Sequence, residues 1–145
     1  MSLIEFCRRD VVTVRPEASV GAAAELLVDQ GVGALVVVAD GTRPVGVVTD
    51  RDLVLRVMAA ERDPERTTIA DVMSQPAITA GPLDRLEATT ARMRELGVRR
   101  MPVVSPDGEL IGLLSADDLI DLFGRELHDL GEAVRKEVTA SQQRS

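Results

Sequence analysis

Thr49 and Asp52 stand three residues apart where an apolar run, Gly46-Val47-Val48, gives way to a charged segment. Ser115 and Asp118 keep the same spacing after Gly112-Leu113-Leu114. An apolar run closed by a hydroxyl residue and then an acid reads as a strand entering a helix. One chemistry for such a pair is local: the hydroxyl caps the helix and the acid favours its positive end. Another is recognition, because a carboxylate at a cleft mouth can accept hydrogen bonds from two ribose hydroxyls, as an acid does in dinucleotide folds. The two roles are compatible.

Little else in the chain offers chemistry. No Gly-x-x-x-x-Gly-Lys loop, Gly-x-Gly-x-x-Gly or nucleophile elbow occurs. A single cysteine, Cys7, and a single histidine, His128, cannot make an ordinary Cys/His zinc site within one chain or an intramolecular disulfide. Cys7 reads as a small core or interface hydrophobe, and Met58, Met73, Met93 and Met101 read as core filling. Asp117, Asp118 and Asp121 could assist Mg²⁺ carried by a nucleotide, but a charged helix start accounts for them. The sequence gives no reason to expect an enzyme.

The two hydroxyl–acid motifs lie 66 residues apart because the chain contains itself twice. Residues 2–57 superpose on residues 68–123 without a gap, and from Val12 to Leu53 the two copies share 10 of 42 positions. Thr13 falls on Thr79, Pro16 on Pro82, Gly31-Val32 on Gly97-Val98, and Gly46 on Gly112. Two gapless copies suit a closed pair related by a pseudo-two-fold axis better than a solenoid, with ligand clefts between the copies.

Each copy reads as strand, helix, strand, strand, helix. In the first copy these are Val11–Val14, Val20–Gln30 with Ser19 as N-cap and Gly31 at C′, Ala34–Ala39, Val45–Thr49 and Asp50–Ala60. In the second they are Ala77–Ala80, Arg85–Leu96, Met101–Val104, Leu110–Leu114 and Ala116–Leu130. A short helical lead-in precedes each copy, Ser2–Cys7 and Thr68–Met73, each opening on a capping residue with an acid three positions on. The expected domains are therefore 1–60, a charged linker at 61–66, then 67–124. Residues 125–145 form a C-terminal helix with a thin apolar stripe, Leu127, Leu130, Val134 and Val138, and a frayed end from Thr139.

Composition bounds the rest. The 145 residues carry a net charge of −7, no Trp, no Tyr and two Phe, so the core is aliphatic and any flat ligand is gripped by aliphatic walls. Missing aromatic platforms and net acidity oppose a nucleic-acid surface. The longest apolar runs, such as Ala34–Ala39, are too short to span a membrane, and no cleavable signal is visible. A cytoplasmic location is the simplest expectation.

The repeated Gly-h-h-[Thr/Ser]-x-x-Asp close (h apolar), with Asp71-Val-Met73 and Gly97-Val-Arg-Arg-Met-Pro-Val-Val104, resembles a tandem pair of cystathionine β-synthase (CBS) domains, a Bateman module. The resemblance runs from Ser2 to about Gly124. It implies an α/β (α+β) fold of two pseudo-two-fold-related β-α-β-β-α units packed through their sheets. It implies a stand-alone regulatory module that senses adenine nucleotides (AMP, ADP, ATP) or S-adenosylmethionine, with or without Mg²⁺. Thr49 and Asp52 match the ribose-contacting pair of one site, and Ser115 and Asp118 that of the other. Thr13 and Thr79 match positions bordering the base, and valines of the central strands complete its pocket. Arg99, Arg100 and Arg51 are the candidates for phosphate. Gly33 and Ala34 replace the first two in the other copy, so the sites are expected to differ in affinity. The family also implies a homodimer and a regulated protein partner. The rival readings are a ligand-free dimerisation scaffold, a nucleic-acid binder and an unrecognised nucleotide hydrolase.

Overall fold

The computed structural model describes residues 2–144 and divides into two compact bodies, Met1–Leu114 and Ser115–Ser145. In the first body, a 3-10 turn (Leu3–Phe6) precedes β1 (Thr13–Val14), α1 (Val20–Gln30), β2 (Ala34–Ala39) and β3 (Arg43–Thr49). There follow α2 (Asp50–Leu53), a π turn (Val54–Met58), α3 (Ile69–Val72), α4 (Leu86–Leu96), β4 (Arg100–Val104) and β5 (Leu110–Ser115), whose last residue opens the second body. That body is otherwise one helix, α5 (Ala116–Arg144).

Sequence chemistry accounts for the first sheet. The Ser19 hydroxyl accepts the Ala22 N–H at 3.1 Å and starts α1, and Gly31 ends it at φ 63°. Gly97 ends α4 the same way at φ 66°. Both are left-handed positions that glycine fills without cost. Val20, Ala23 and Leu27, at three- and four-residue spacing, bury one face of α1 against Leu35, Val37, Val48, Val57, Ile69 and Val72. Strand β2 is central, parallel to β1 and antiparallel to β3. Its run Leu35–Val38 is buried throughout, as a strand covered on both faces requires.

The second sheet holds only β4 and β5. The strand expected at Ala77–Ala80 is reduced to one parallel bridge, Ala80 to Val103. In the first copy the Val36 N–H donates to the Val12 carbonyl at 3.1 Å. Pro102 occupies the position of Val36 and has no N–H to give Ile78, so the ladder cannot extend. The helix expected over Asp50–Ala60 also changes character. After Leu53 it widens into the π turn, with the Ala59 N–H donating to the Val54 carbonyl at 2.8 Å. The wide turn keeps Val57 in the core and leaves Met58 74% exposed, so Met58 is not core filling. Met93 and Met101 are buried.

The copies exchange their lead-ins. Leu3 N–H donates to the Asp84 carbonyl and Ile69 N–H to the Ala18 carbonyl, and these two bonds are 66-residue images of one another. Arg8 and Leu113 exchange both backbone bonds, and so do Ser74 and Val47, their images. Ser2 N–H meets the Glu5 carboxylate at 3.0 Å and Thr68 N–H the Asp71 carboxylate at 3.1 Å. Each lead-in thus lies against the opposite copy, and the pseudo-two-fold relation is written in paired hydrogen bonds. Gly46 and Gly112 mark the crossings. A Cβ on Gly46 would lie 2.8 Å from the Ser74 carbonyl oxygen, and one on Gly112 would lie 3.0 Å from that of Arg8. Residues 61–66 close onto α1 through Gly21 N–H, which donates to the Pro64 carbonyl at 3.1 Å.

The second body corrects the frayed end expected from Thr139. α5 continues to Arg144, with the Thr139 hydroxyl donating to the Arg135 carbonyl at 3.0 Å; Ala140, Gln142 and Gln143 favour helix. Ser145 lies outside the described residues. No helix among the described residues is long and apolar enough to cross a membrane.

Candidate functional site

A cavity of about 310 Å³ opens in the first body, at the low end of the range for small-ligand sites. Three segments build it: the β3–α2 junction, residues Ser74 to Ile78 that follow the second lead-in, and Gly97 to Arg100 entering β4. The exchange of lead-ins makes this possible, because the Ser74–Val47 backbone bonds carry the second copy's incoming chain to the end of the first copy's β3.

Thr49 and Asp52 meet at the mouth of α2. The Thr49 hydroxyl accepts the Asp52 N–H at 3.1 Å, and Asp52 Oδ2 accepts the Thr49 N–H at 2.9 Å. This is a complete capping box, so the local role is present. It does not exhaust either group. A carboxylate offers about four lone-pair positions, and a hydroxyl that accepts can still donate. Arg56, which sequence reasoning missed, steadies the acid. Its Nη2 lies 3.8 Å from Asp52 Oδ1, while Nη1 donates to the Val72 carbonyl at 2.6 Å. The i,i+4 spacing from Asp52 was the available signal.

The lining is also basic. Arg51, Arg99 and Arg100 line the cavity with Asp50 and Asp52, three guanidinium groups against two carboxylates. Asp50 and Arg100 converge beside Gly33: a Cβ there would lie 3.4 Å from Asp50 Oδ2 and 3.7 Å from Arg100 Nη2. The lining also includes Val47, Pro76, Ala77, Ile78 and Val98. The central valines expected to complete the pocket, such as Val36 and Val37, are instead fully buried in the core. An aliphatic slot lined by a carboxylate–hydroxyl pair and by guanidinium groups can hold a flat ring, a diol and an anionic group together.

Of the candidate residues, the structure gathers Thr49, Arg51, Asp52, Arg99 and Arg100 in one cavity. Thr79 follows Ile78 but is not part of the lining; its carbonyl accepts from Arg92 Nη1 at 3.2 Å. Thr13 lies exposed on β1 and is not part of the lining. Ser115 ends β5 and Asp118 sits in the first turn of α5. Asp50 and the segment Ser74–Ile78 were missed, since nothing in the local sequence announces that the lead-ins cross. Among the described residues no cluster of His, Cys, Asp and Glu could hold a metal ion. Burial pushes the Cys7 thiol up to about 11 against a smaller opposing pull from Arg9, and its Sγ donates to the Leu3 carbonyl at 3.1 Å.

The model of the CBS domain matches this chain twice, over residues 3–59 and 69–125. An uncharacterised protein of Methanopyrus kandleri is 33% identical over 136 residues, covering 94% of this chain and 69% of that one. The chain spans only 24% and 42% of two longer relatives. Among solved structures, the CBS-domain pair of the protein MJ0100, in complex with 5′-methylthioadenosine and S-adenosyl-L-methionine, superposes with a TM-score of 0.77. That match is at 21% identity and covers 87% of this chain and 98% of that one. A hexameric CBS-CP12 protein from bloom-forming cyanobacteria superposes with a TM-score of 0.75 at 26% identity, covering 97% of this chain and 85% of that one.

Proposed function

The chain belongs to the CBS-domain family, and on that premise we propose that it is a regulatory module holding an adenosyl ligand in the Thr49–Arg100 cavity. One observation carries the reading: the folded chain brings a hydroxyl–carboxylate pair and three arginines, drawn from both copies, around a single aliphatic slot. In this reading Asp52 and Thr49 take the ribose hydroxyls. The base lies against Val47, Ile78 and Val98, with Thr79 bordering it through its backbone. Arg99 and Arg100, with Arg51, take the phosphate of AMP, ADP or ATP, or the charged tail of S-adenosylmethionine. Mg²⁺ would arrive only with a polyphosphate. Ser115 and Asp118, at the same spacing, take the same ribose role for a second ligand. The adenosyl complex of the MJ0100 pair supports the ligand class as a property of this fold.

Because the walls come from both copies, a bound ligand favours the arrangement in which they approach. It shifts that equilibrium only by its differential affinity for the two arrangements, which is the signal passed to a regulated protein. A second reading, a ligand-free scaffold, is favoured by the capping box, which by itself gives Thr49 and Asp52 a structural purpose. A thermal-shift panel on nucleotide-stripped protein separates the two. AMP, ADP, ATP and S-adenosylmethionine are tested with and without Mg²⁺, beside Arg100→Gln. At a hundredfold excess over Kd a ligand adds about 2.7 kcal/mol of stability. A saturable shift, weakened in the variant, supports the sensor; a flat panel supports the scaffold.

A further inference from the structure

Two carboxylates share the cavity lining with the three arginines, and they are not equivalent. Asp52 is engaged at both oxygens: Oδ2 accepts the Thr49 N–H at 2.9 Å, and Oδ1 lies 3.8 Å from Arg56 Nη2. Asp50 is engaged at one. Its Oδ1 accepts the Arg51 N–H at 2.8 Å, and its own N–H donates to the Gly33 carbonyl at 3.0 Å, which fixes the residue beside the start of β2. Among the described residues Asp50 Oδ2 makes no hydrogen bond or ion pair, and neither does the Arg100 guanidinium.

These two unengaged groups converge on one point. A Cβ on Gly33 would lie 3.4 Å from Asp50 Oδ2 and 3.7 Å from Arg100 Nη2. The carboxylate and the guanidinium are too far apart to pair with one another, and the missing side chain leaves room between them. Gly33 has no positive φ, so its backbone does not demand glycine. The repeat does not demand the charges either, since the 66-residue images of Asp50 and Arg100 are Ala116 and Ala34. A carboxylate and a guanidinium held apart over a gap match a group that brings an ammonium and a carboxylate on neighbouring atoms. An α-amino acid is such a group. A polyphosphate is not, because it offers Asp50 no donor and sets like charges together.

We infer, resting on the adenosyl reading of this cavity, that Asp50 is its specificity-determining residue and selects a ligand with a 5′ α-amino acid tail over a nucleotide polyphosphate. The ammonium of the tail donates to Asp50 Oδ2 and its carboxylate accepts from Arg100, across the gap that Gly33 leaves. S-adenosylmethionine and S-adenosylhomocysteine share this tail and differ in the charge on sulfur.

Titration calorimetry on the nucleotide-stripped full chain tests this with those two ligands, tail-less 5′-methylthioadenosine, and ATP. Mg²⁺ is left out so that no cation bridges Asp50 to the phosphates. The wild type binds both tailed ligands about tenfold or more tighter than 5′-methylthioadenosine or ATP. Asp50→Asn keeps an acceptor for the Arg51 N–H. It weakens both tailed ligands about tenfold, strengthens ATP, and leaves 5′-methylthioadenosine unchanged, which shows the cavity intact. Gly33→Ala fills the gap and weakens the tailed ligands alone. Tailed ligands bound no more tightly than the others, tailed ligands indifferent to either variant, or an Asp50→Asn loss shared by all four ligands each overturn the inference. So does a loss confined to S-adenosylmethionine, which puts the sulfonium and not the ammonium at Asp50. In each of these cases the wild type still binds 5′-methylthioadenosine and the adenosyl reading stands; a wild type that binds none of the four removes both.

Discussion

Asp52 Oδ2 accepts the Thr49 N–H at 2.9 Å while Asp52 N–H donates to the Thr49 hydroxyl at 3.1 Å, so the acid proposed to read a ribose is also the acid that starts α2. Alanine at either position therefore confounds binding with folding. Thr49→Ala loses the cap and costs about 1 kcal/mol, whereas Thr49→Ser keeps both the cap and the hydroxyl. Asp52→Asn retains one carbonyl oxygen for the Thr49 N–H but loses the charge and the second acceptor. It should unfold in urea near the wild-type midpoint yet bind adenosyl ligands at least tenfold more weakly. Equal loss of stability and no ligand to lose would assign the pair to capping alone.

Arg99→Gln and Arg100→Gln separate phosphate recognition from ring recognition. A charge-assisted hydrogen bond contributes about 1.5–3 kcal/mol, so each change lowers AMP affinity about ten- to hundredfold. Adenosine, which brings no phosphate, should bind the variants as it binds the wild type. Titration calorimetry at two salt concentrations adds a control, because the salt dependence of AMP binding shrinks with each arginine removed. If adenosine and AMP weaken together, the arginines shape the cavity rather than read an anion.

Much of this was legible beforehand. The 66-residue repeat and its punctuation are properties of the chain, and Ser19, Gly31, Thr49 and Gly97 act locally, so α1, α4 and the start of α2 fall where the pattern puts them. The strand at Ala77–Ala80 was misread because its failure is non-local: Pro102, more than twenty residues on, withholds the donor that Val36 supplies in the first copy. For the cavity, the hydroxyl, acid and arginines announce themselves by type and spacing. Ser74–Ile78 does not, because it enters only through the crossing of the lead-ins, a tertiary event marked in sequence by nothing more than Gly46 and Gly112.

Those two glycines make the crossing testable. Neither has a positive φ, so the cost of a side chain there is contact rather than backbone strain. At Gly46 a Cβ would meet Met73 Sδ at 2.7 Å and the Ser74 carbonyl oxygen at 2.8 Å; at Gly112 the nearest atoms are the Arg8 carbonyl oxygen at 3.0 Å and Cys7 Cβ at 3.1 Å. Overpacking of this kind costs about 1–3 kcal/mol. Gly46→Ala should fall at the upper end, since the side chain of Met73 can yield but the Ser74 carbonyl is held by Val47. Gly112→Ala should cost less. Because the Ser74 segment also lines the cavity, Gly46→Ala should weaken adenosyl binding, and Gly112→Ala should leave that cavity's affinity unchanged. Urea melts paired with ligand titrations check both halves.

The two β-hairpin tips are joined by Glu109, and this joint gives the chain an acid-sensitive edge. The Glu109 carboxylate accepts from both the hydroxyl and the N–H of Thr42, the latter at 3.0 Å, and lies 3.8 Å from Arg43. The Thr42 hydroxyl, then its N–H, and last Arg43 hold Glu109 below its ordinary value of 4.5. A carboxyl depressed in the folded state binds its proton more readily when unfolded. Its contribution is therefore complete above about pH 4.5 and fades as the pH falls through the lower folded value. Glu109→Gln removes that contribution at all pH. Thermal melts from pH 7 to pH 3 should show a wild-type advantage that is constant down to about pH 5 and shrinks below it. An advantage that persists unchanged to pH 3 would mean that the tips are held by the Leu110 N–H to Thr42 carbonyl bond, at 3.0 Å, and not by the carboxylate.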